Sequence, residues 1–452
     1  MKILHLAIGR KPVYTGGSVL SGEDLMAAQL TQGHEVAVLI PGPSRWWSSV
    51  SVERVTSTDR IATYEVINPL PVALTSGVGL PRRYIKTVPQ TAYGRFLNQV
   101  KPDVIHVQSI MGFHLSFFEA AKALGIPLVM TTRDYYPWCL RVSFFDRDQR
   151  LCDGPNPQKC AQCNQGAGLP ILWERLIRSR LYRQLKHHPL ITRIRISGRK
   201  QLHDEATRSV SKPSLKPVDV EGTAWLLEHN RRIVSLMDHL HANSPISAAT
   251  YHRFVDVPTT VLPIARAVLP EPGVLRTSFD DGFRIGYVGG MASGKGLPVL
   301  LEALSYLPSS FRWVLWGDHY EALGIKNPQV EDRGRYQRDD LKSVFSSMDV
   351  LVVPSTWIES FGFVVVEALS YGLPVLCSDQ VGAAFLLNDI EVLAPYPATD
   401  AKVLAQRLRA LSNLETYHTV AQQIQSLRQR TTIDTHAADL EALYHQLRGQ
   451  HV

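Results

Sequence analysis

Short apolar runs of strand length alternate along this chain with loops and with longer stretches of helical periodicity. Lys2 to Ala7 and Glu35 to Ile40 read as strands. Between them, Ser21 to Gln32 places Leu25, Ala28 and Gln29 at helical spacing, and Gly33-His34 ends that helix. Ala62 to Asn68, Lys101 to Val107 and Pro127 to Thr132 read as further strands, and Ile233 to Asn243 holds another. A Pro-rich segment follows, from Pro263 to Asp281. Beyond it come a strand at Phe283 to Gly290, a helix at Leu297 to Tyr306, a strand at Trp313 to Trp316 and a helix at Arg338 to Met348. Ala401 to Leu414 and Thr435 to Leu447 are amphipathic. Strands alternating with helices predict parallel α/β sheets. A chain of 452 residues is too long for one ordinary core. The expected division is a first domain over 1–262, a linker over 263–282, a second domain over 283–430 and a final helix over 431–452.

The stretch Asp349 to Asp379 carries the clearest chemistry. An apolar, β-branched run to Pro354 is followed by the loop Ser355 to Phe361 and then a helix over Gly362 to Tyr371. Gly372-Leu373-Pro374 stops the helix, and Val375 to Ser378 begins the next strand. Glu359, Ser360, Gly362 and Phe363 therefore stand at a helix N-terminus, where free backbone N–H groups and the helix dipole suit a phosphate. Glu367 lies inside the helix. Upstream, Gly289-Gly290 ends a strand and opens a Gly-rich loop with Lys295 just before the next helix.

The run E-S-F-G-F-V-V-V-E, with V-V-P-S before it and E-A-L and G-L-P-V after it, resembles the E-x7-E signature of retaining glycosyltransferases of family 4. These have the GT-B fold. The resemblance implies that Glu359 faces the transferred sugar and that Glu367 binds the ribose hydroxyls. It also implies that the backbone between them holds the diphosphate. The loop at Lys295-Gly296 is similar to the family's G-R-x-x-x-x-K-G loop, whose two cations neutralise the donor phosphates. Lys295 matches, and Gly290 stands where the family has Arg. The Gly-Gly-x-x-Glu element expected after Asp379 is also altered, since Val381 to Phe385 contains no Glu.

In the first half, Gly16-Gly17 follows the opening strand, as in the family loop that approaches the donor phosphates and the acceptor. A full G-x-G-x-x-G is absent, so no nicotinamide cofactor is indicated. His106 ends a strand that in the family lies near the acceptor; a lone His there also suits a purely structural role. Arg133-Asp134-Tyr135-Tyr136 resembles a subgroup whose members carry His-Asp-Tyr-Trp followed by a cysteine cluster. Arg133 replaces the His and suggests a fixed positive charge for an acceptor phosphate or carboxylate. Asp134 is kept.

Four of the five cysteines, Cys139, Cys152, Cys160 and Cys163, fall in the pattern C-x12-C-x7-C-x2-C. Clustered thiols in a chain without a secretory leader more often bind metal than form disulfides. Four thiolates suit a closed, structural zinc site, and an iron–sulfur cluster takes the same ligand count. Residues 139–232 form an insertion that continues into a basic stretch, 171–200. From Arg175 to Lys200 it holds nine cations and no acid, enough to account for the chain's net +7. Its leucines make it amphipathic, so it reads either as a surface for anionic lipid headgroups or as a solvated helix face. Nothing beside it resembles a nucleic-acid-binding fold.

The expected fold is α/β of the GT-B type, two Rossmann-like domains facing a crevice. The expected activity is sugar transfer from a nucleotide-sugar to an acceptor hydroxyl, a lipid-linked acceptor being one candidate, with retention and with no catalytic metal. Lys295, Glu359, Asp134 and Arg133 carry the chemistry in this reading. The alternatives are a GT-B sugar-nucleotide epimerase and a binding protein that has lost turnover. MKILHLAIG is a strand rather than a signal peptide, and no run of about eighteen apolar residues occurs. A cytoplasmic protein, peripheral on the membrane, is expected.

Overall fold

The structure is a computed structural model. It describes all residues except 15, 46–47, 58, 74–76, 169–216, 267–269, 291, 318–326 and 451–452. The basic stretch 171–200 therefore lies outside the described residues.

An eight-stranded sheet is built from β1 (Lys2–Leu6), β2 (Glu35–Pro41), β3 (Ser51–Val55), β4 (Ala62–Ile67), β5 (Val104–Val107), β6 (Leu128–Thr131), β7 (His239–Ala242) and β8 (Thr259–Val261). Its order is β3-β4-β2-β1-β5-β6-β7-β8. From β4 through β7 the pairings are parallel, and β3 is added antiparallel at the edge. β5 and β6 are buried along their whole length, which is why they read as short unbroken runs rather than as alternating strands.

A second sheet has the order β11-β10-β9-β12-β13. Its strands are β9 (Phe283–Gly289), β10 (Phe311–Gly317), β11 (Val330–Gly334), β12 (Val350–Val353) and β13 (Val375–Cys377), all paired in parallel. Its core gathers Ile285, Trp313, Val350, Leu351, Leu369, Leu376 and Leu404.

The chain divides into two units. One holds Met1–His241, His252–Thr260 and Ala442–Val452; the other holds Ala242–Tyr251 and Val261–Glu441. The last helix, Ile433–Gln450, runs from the second unit into the first. Among the described residues no helix is long and apolar enough to cross a membrane.

The strand expected over Ile233 to Asn243 begins only at His239. Ile233 and Val234 belong instead to the helix Val220–Ser235, where with Leu226 they form its buried face. Asp219 caps that helix by accepting from Gly222 N–H at 2.9 Å. The opening helix starts at Gly17, four residues before the apolar spacing announces it.

Candidate functional site

In a parallel sheet, ligands gather at the carboxyl ends of strands where the strand order reverses. In the second sheet that point lies between β9 and β12. The loop after β9 carries Lys295 and the loop after β12 carries Glu359, so two residues far apart in sequence become neighbours. Lys295 Nζ contacts Glu359 Oε1 directly. The same oxygen accepts from Ser355 Oγ at 2.9 Å and from Trp357 Nε1 at 3.2 Å. Lys295 also lies 5.2 Å from the centre of the Trp357 ring. Burial by itself would raise the Glu359 carboxyl, but Lys295, Trp357 and Ser355 outweigh it and hold the group below its ordinary range. Glu359 is thus ionised in a site where only 9% of the residue is exposed.

The two loops are in close backbone contact. Gly296 has φ +76°, and a Cβ there would stand 1.8 Å from the Pro354 carbonyl oxygen. Glycine is therefore required next to Lys295 for both conformation and space. Thr356 N–H donates to the Gly294 carbonyl at 2.9 Å, joining the loops. Gly289 ends β9 and Gly290 follows it, and the Tyr287 hydroxyl donates to the Gly290 carbonyl at 2.9 Å. Gly362 has φ +94° and starts the helix Phe363–Ser370. The Ser360 carbonyl accepts from Ser244 Oγ at 2.6 Å, and Phe363 packs edge-on to Phe361. Glu367 is inside the helix as expected, 3.4 Å from the buried guanidinium of Arg266. Sequence reading missed Arg266, Ser355 and Trp357. Nothing local marks Arg266; Ser355 closes the V-V-P-S flank with no role assigned to it there, and Trp357 lies at a position the spacing leaves open.

In the first unit the reversal lies between β1 and β5. The residues that follow β1, β5 and β6 are the Gly16-Gly17 loop, Gln108 and Arg133. Gly16 and Gly17 are exposed at the N-terminus of the helix Gly17–Thr31, and a Cβ on Gly16 would meet nothing within 4 Å. The pair therefore leaves open space before the helix, and its φ of −68° makes no demand for glycine. Arg133 is buried. Its Nε donates to Gln108 Oε1, and its Nη1 donates to Ser21 Oγ at 3.0 Å. Burial pulls Arg133 down to about 10, which leaves it cationic at neutral pH. Burial pushes Asp134 up to about 6, against the opposing pull of Tyr136 N–H, which donates to Oδ1 at 2.9 Å. His106 is fully buried, with both ring nitrogens engaged, one by Thr131 Oγ1 and one by the Tyr444 hydroxyl, each at 2.6 Å. It reaches no surface and is a packing residue in this structure.

Cys139, Cys152, Cys160 and Cys163 line one small cavity with Trp138, Phe144 and Asn164. The four-sulfur coordination shell expected from their spacing is not formed: among the described residues no three His, Cys, Asp or Glu are grouped so as to hold a metal ion. Burial keeps Cys139, Cys160 and Cys163 protonated, Cys160 up to about 11. Local partners satisfy two of the sulfurs instead. Phe144 N–H donates to Cys139 Sγ at 3.3 Å, and Cys152 Sγ donates to the Gly154 carbonyl at 3.4 Å.

Comparison with known proteins follows the same division. Residues 282–413 match the model for glycosyl transferases group 1, and residues 16–185 match that of a glycosyl transferase 4-like domain. A phosphatidyl-myo-inositol mannosyltransferase of Mycobacterium leprae is 38% identical over 94 residues, 21% of this chain and 22% of that protein. The O-antigen chain mannosyltransferase B of Escherichia coli is 28% identical over 142 residues, 28% of this chain and 36% of that protein. This chain thus matches between about a fifth and a third of the length of these curated relatives. Among solved structures, a sucrose-phosphate synthase of Thermosynechococcus elongatus superposes with a TM-score of 0.58 at 16% identity over 99% of both chains. Anabaena Alr3699/HepE in complex with UDP gives a TM-score of 0.58 at 15% identity over 99% of this chain and 100% of that one. At such identities the likeness shows the shared fold.

Proposed function

The chain belongs to the group 1, family 4 glycosyltransferases, and from that premise we propose that it moves a sugar from a nucleotide-sugar to an acceptor hydroxyl with retention at the anomeric carbon. The observation that carries this is the ionised Glu359 held by Lys295, Ser355 and Trp357 where the strand order reverses. Lys295 stabilises the departing diphosphate together with the N-terminal N–H groups of Phe363–Ser370, because charge developing on the leaving group is best met by fixed dipoles and cations. Glu359 orients the sugar. Glu367 accepts from the ribose hydroxyls, and Arg266 fixes the angle of its carboxylate. Arg133 and Asp134 serve the acceptor side. Gly16-Gly17 leaves room for a bound group, and Gly290 contributes backbone only.

The names of the two mannosyltransferases support a glycolipid or cell-surface polysaccharide product. A lipid-linked acceptor would make the protein peripheral on the cytoplasmic face of the membrane, with 171–200 on anionic headgroups. The test is thermal stability against nucleoside diphosphates and their mannose and glucose esters. A ligand that binds only the folded state adds about 2.7 kcal/mol at a hundred times its dissociation constant. A selective rise, lost in Lys295→Ala and Glu367→Ala, is expected. No rise with any ligand would sink the donor assignment and leave a binding protein that has lost turnover.

We also propose that the four cysteines close around a structural zinc ion. Their sharing of one cavity supports this, since four thiols brought to one wall need only small rearrangement and proton loss to ligate. Metal analysis of the purified protein should find zinc, and Cys160→Ser with Cys163→Ser should lose it and melt lower. A protein without bound metal excludes the idea, and visible absorption from iron assigns an iron–sulfur cluster instead.

A further inference from the structure

The middle of the first sheet is polar where a parallel sheet is ordinarily apolar. His5, Gln29, His106, Gln108, Thr131, His241 and Tyr444 are all at least 96% buried. His5 and His106 are register partners on β1 and β5, and Thr131 and His241 are partners on β6 and β7. Their hydrogen bonds join into one line. Arg133 Nε contacts Gln108 Oε1, and Gln108 Nε2 lies 3.0 Å from His5 Nδ1. His5 Nε2 lies 2.7 Å from Gln29 Oε1, and Gln29 Nε2 lies 3.4 Å from the Tyr444 hydroxyl. That hydroxyl lies 2.6 Å from His106 Nδ1. His106 Nε2 lies 2.6 Å from Thr131 Oγ1, which lies 2.9 Å from His241 Nδ1.

The guanidinium end fixes the direction of each bond as far as the Tyr444 hydroxyl. A guanidinium can only donate, so Gln108 must present its oxygen to Arg133 and its amide N–H to His5. His5 Nδ1 then accepts, and a neutral ring must carry its proton on Nε2 and donate to Gln29. Gln29 donates in turn to the Tyr444 hydroxyl, whose own O–H can point at His106 Nδ1, and that arrangement completes the line. His106 donates from Nε2 to Thr131, and Thr131 donates to His241. No link has two donors or two acceptors facing each other. Bonds aligned in this way polarise and strengthen one another.

We infer that Tyr444, from the C-terminal helix, is a positioning residue that sets the orientation of Arg133 through Gln29, His5 and Gln108. Tyr444 sits in the middle of the line. Its hydroxyl accepts from Gln29 and meets His106 Nδ1. Without it, the Gln29 amide N–H loses its acceptor, and Gln29 holds His5 Nε2–H less firmly. His5 and Gln108 then gain freedom to reorient, and the bond from the Arg133 guanidinium to Gln108 Oε1 loosens. The C-terminal helix is thereby coupled to the cation assigned above to the acceptor side. The functional meaning of the coupling rests on that assignment, whereas the line of bonds does not.

The experiment is nitrogen–proton NMR of the full chain labelled at histidine and arginine, for wild type and Tyr444→Phe. The wild type should show His5 and His106 as neutral Nε2–H tautomers at pH 7, with one slowly exchanging Arg133 Nε–H signal. Tyr444→Phe keeps the ring and its packing. It should nonetheless shift the His5 signals and speed Arg133 Nε–H exchange by roughly fivefold to tenfold, the effect of losing one net hydrogen bond. Gln29→Met cuts the same line from another helix and should reproduce the effect if Tyr444→Phe folds poorly. An Nδ1–H tautomer at His5, or an Arg133 signal unmoved by both variants, overturns the inference. Titration with inorganic phosphate separates the two claims. If phosphate leaves the Arg133 signal in place while Tyr444→Phe moves it, the positioning stands and the acceptor role of Arg133 falls.

Discussion

Two cations, Lys295 and Arg133, stand beyond the carboxyl ends of strands in the two sheets, Lys295 after β9 at the reversal of strand order and Arg133 after β6, one strand away from it, and they are held by opposite means. Lys295 is met by a full negative charge, Glu359, with about a third of its side chain exposed. Arg133 is buried and is met in part by neutral oxygens, those of Gln108 and Ser21. An ion pair in which one partner reaches solvent can open when a ligand competes for either charge. A cation gripped by oriented dipoles inside the fold keeps one geometry. The difference teaches that the Lys295–Glu359 pair is built to exchange partners, and the Arg133 side to stay fixed.

The largest effect should come from breaking the ion pair. Lys295→Met leaves a buried carboxylate without its cation. Turnover should fall on the order of 10²–10³, as when a stabilising donor is removed from a leaving group. The variant should also lose about 2 kcal/mol of stability, less than the roughly 3–5 of a fully buried pair because Lys295 is partly exposed. Arg133→Met removes a cation whose hydrogen bonds go to neutral oxygens and should cost less, about 1 kcal/mol. Equal losses in denaturant titrations of the two variants would erase the contrast.

Next in size is Arg266→Ala, which removes the guanidinium 3.4 Å from Glu367. Calorimetry should show nucleoside diphosphate binding weakened by about tenfold, the measure of one lost charge-assisted bond near 1.4 kcal/mol. Unchanged affinity would reduce Arg266 to packing.

The smallest effect is one of pH. Burial holds His5 down to about 4 in the folded chain against 6.5 when unfolded. Between those values the unfolded state binds more protons, so this contribution to stability is lost on acidification through that window. Asp134 works in the other direction, at about 6 folded against 3.8 unfolded, so acidification between them favours the folded state. Melting temperatures of Asp134→Asn should therefore fall more steeply from pH 7 to pH 4.5 than those of the wild type. Parallel curves would show that Asp134 titrates normally.

Much of this molecule is legible along the chain. The apolar run of β12, the stop at Gly372 and Pro374 and the eight-residue spacing of Glu359 and Glu367 are local, because strand, turn and helix preferences act over a few residues. They sufficed to place Glu359 in a loop before a helix and Glu367 inside that helix, and the two parallel α/β sheets followed from the alternation of elements. Periodicity failed where polar residues carried a buried face. The helix Val220–Ser235 was missed because its capping and packing residues lie among charges. Partners of functional groups were harder still. Arg266 beside Glu367, Gln108 beside Arg133 and Tyr444 beside His106 are distant in sequence, and no spacing rule links them.

What the sequence determines by itself is the set of chemical groups and the loops that present them, since those depend on neighbours in the chain. Which carboxylate meets which cation, and whether a buried histidine is held as donor or acceptor, is decided only when strands from remote segments lie side by side. Hydrogen bonds and charges act over a few ångströms in space, and the chain order of residues does not record those distances.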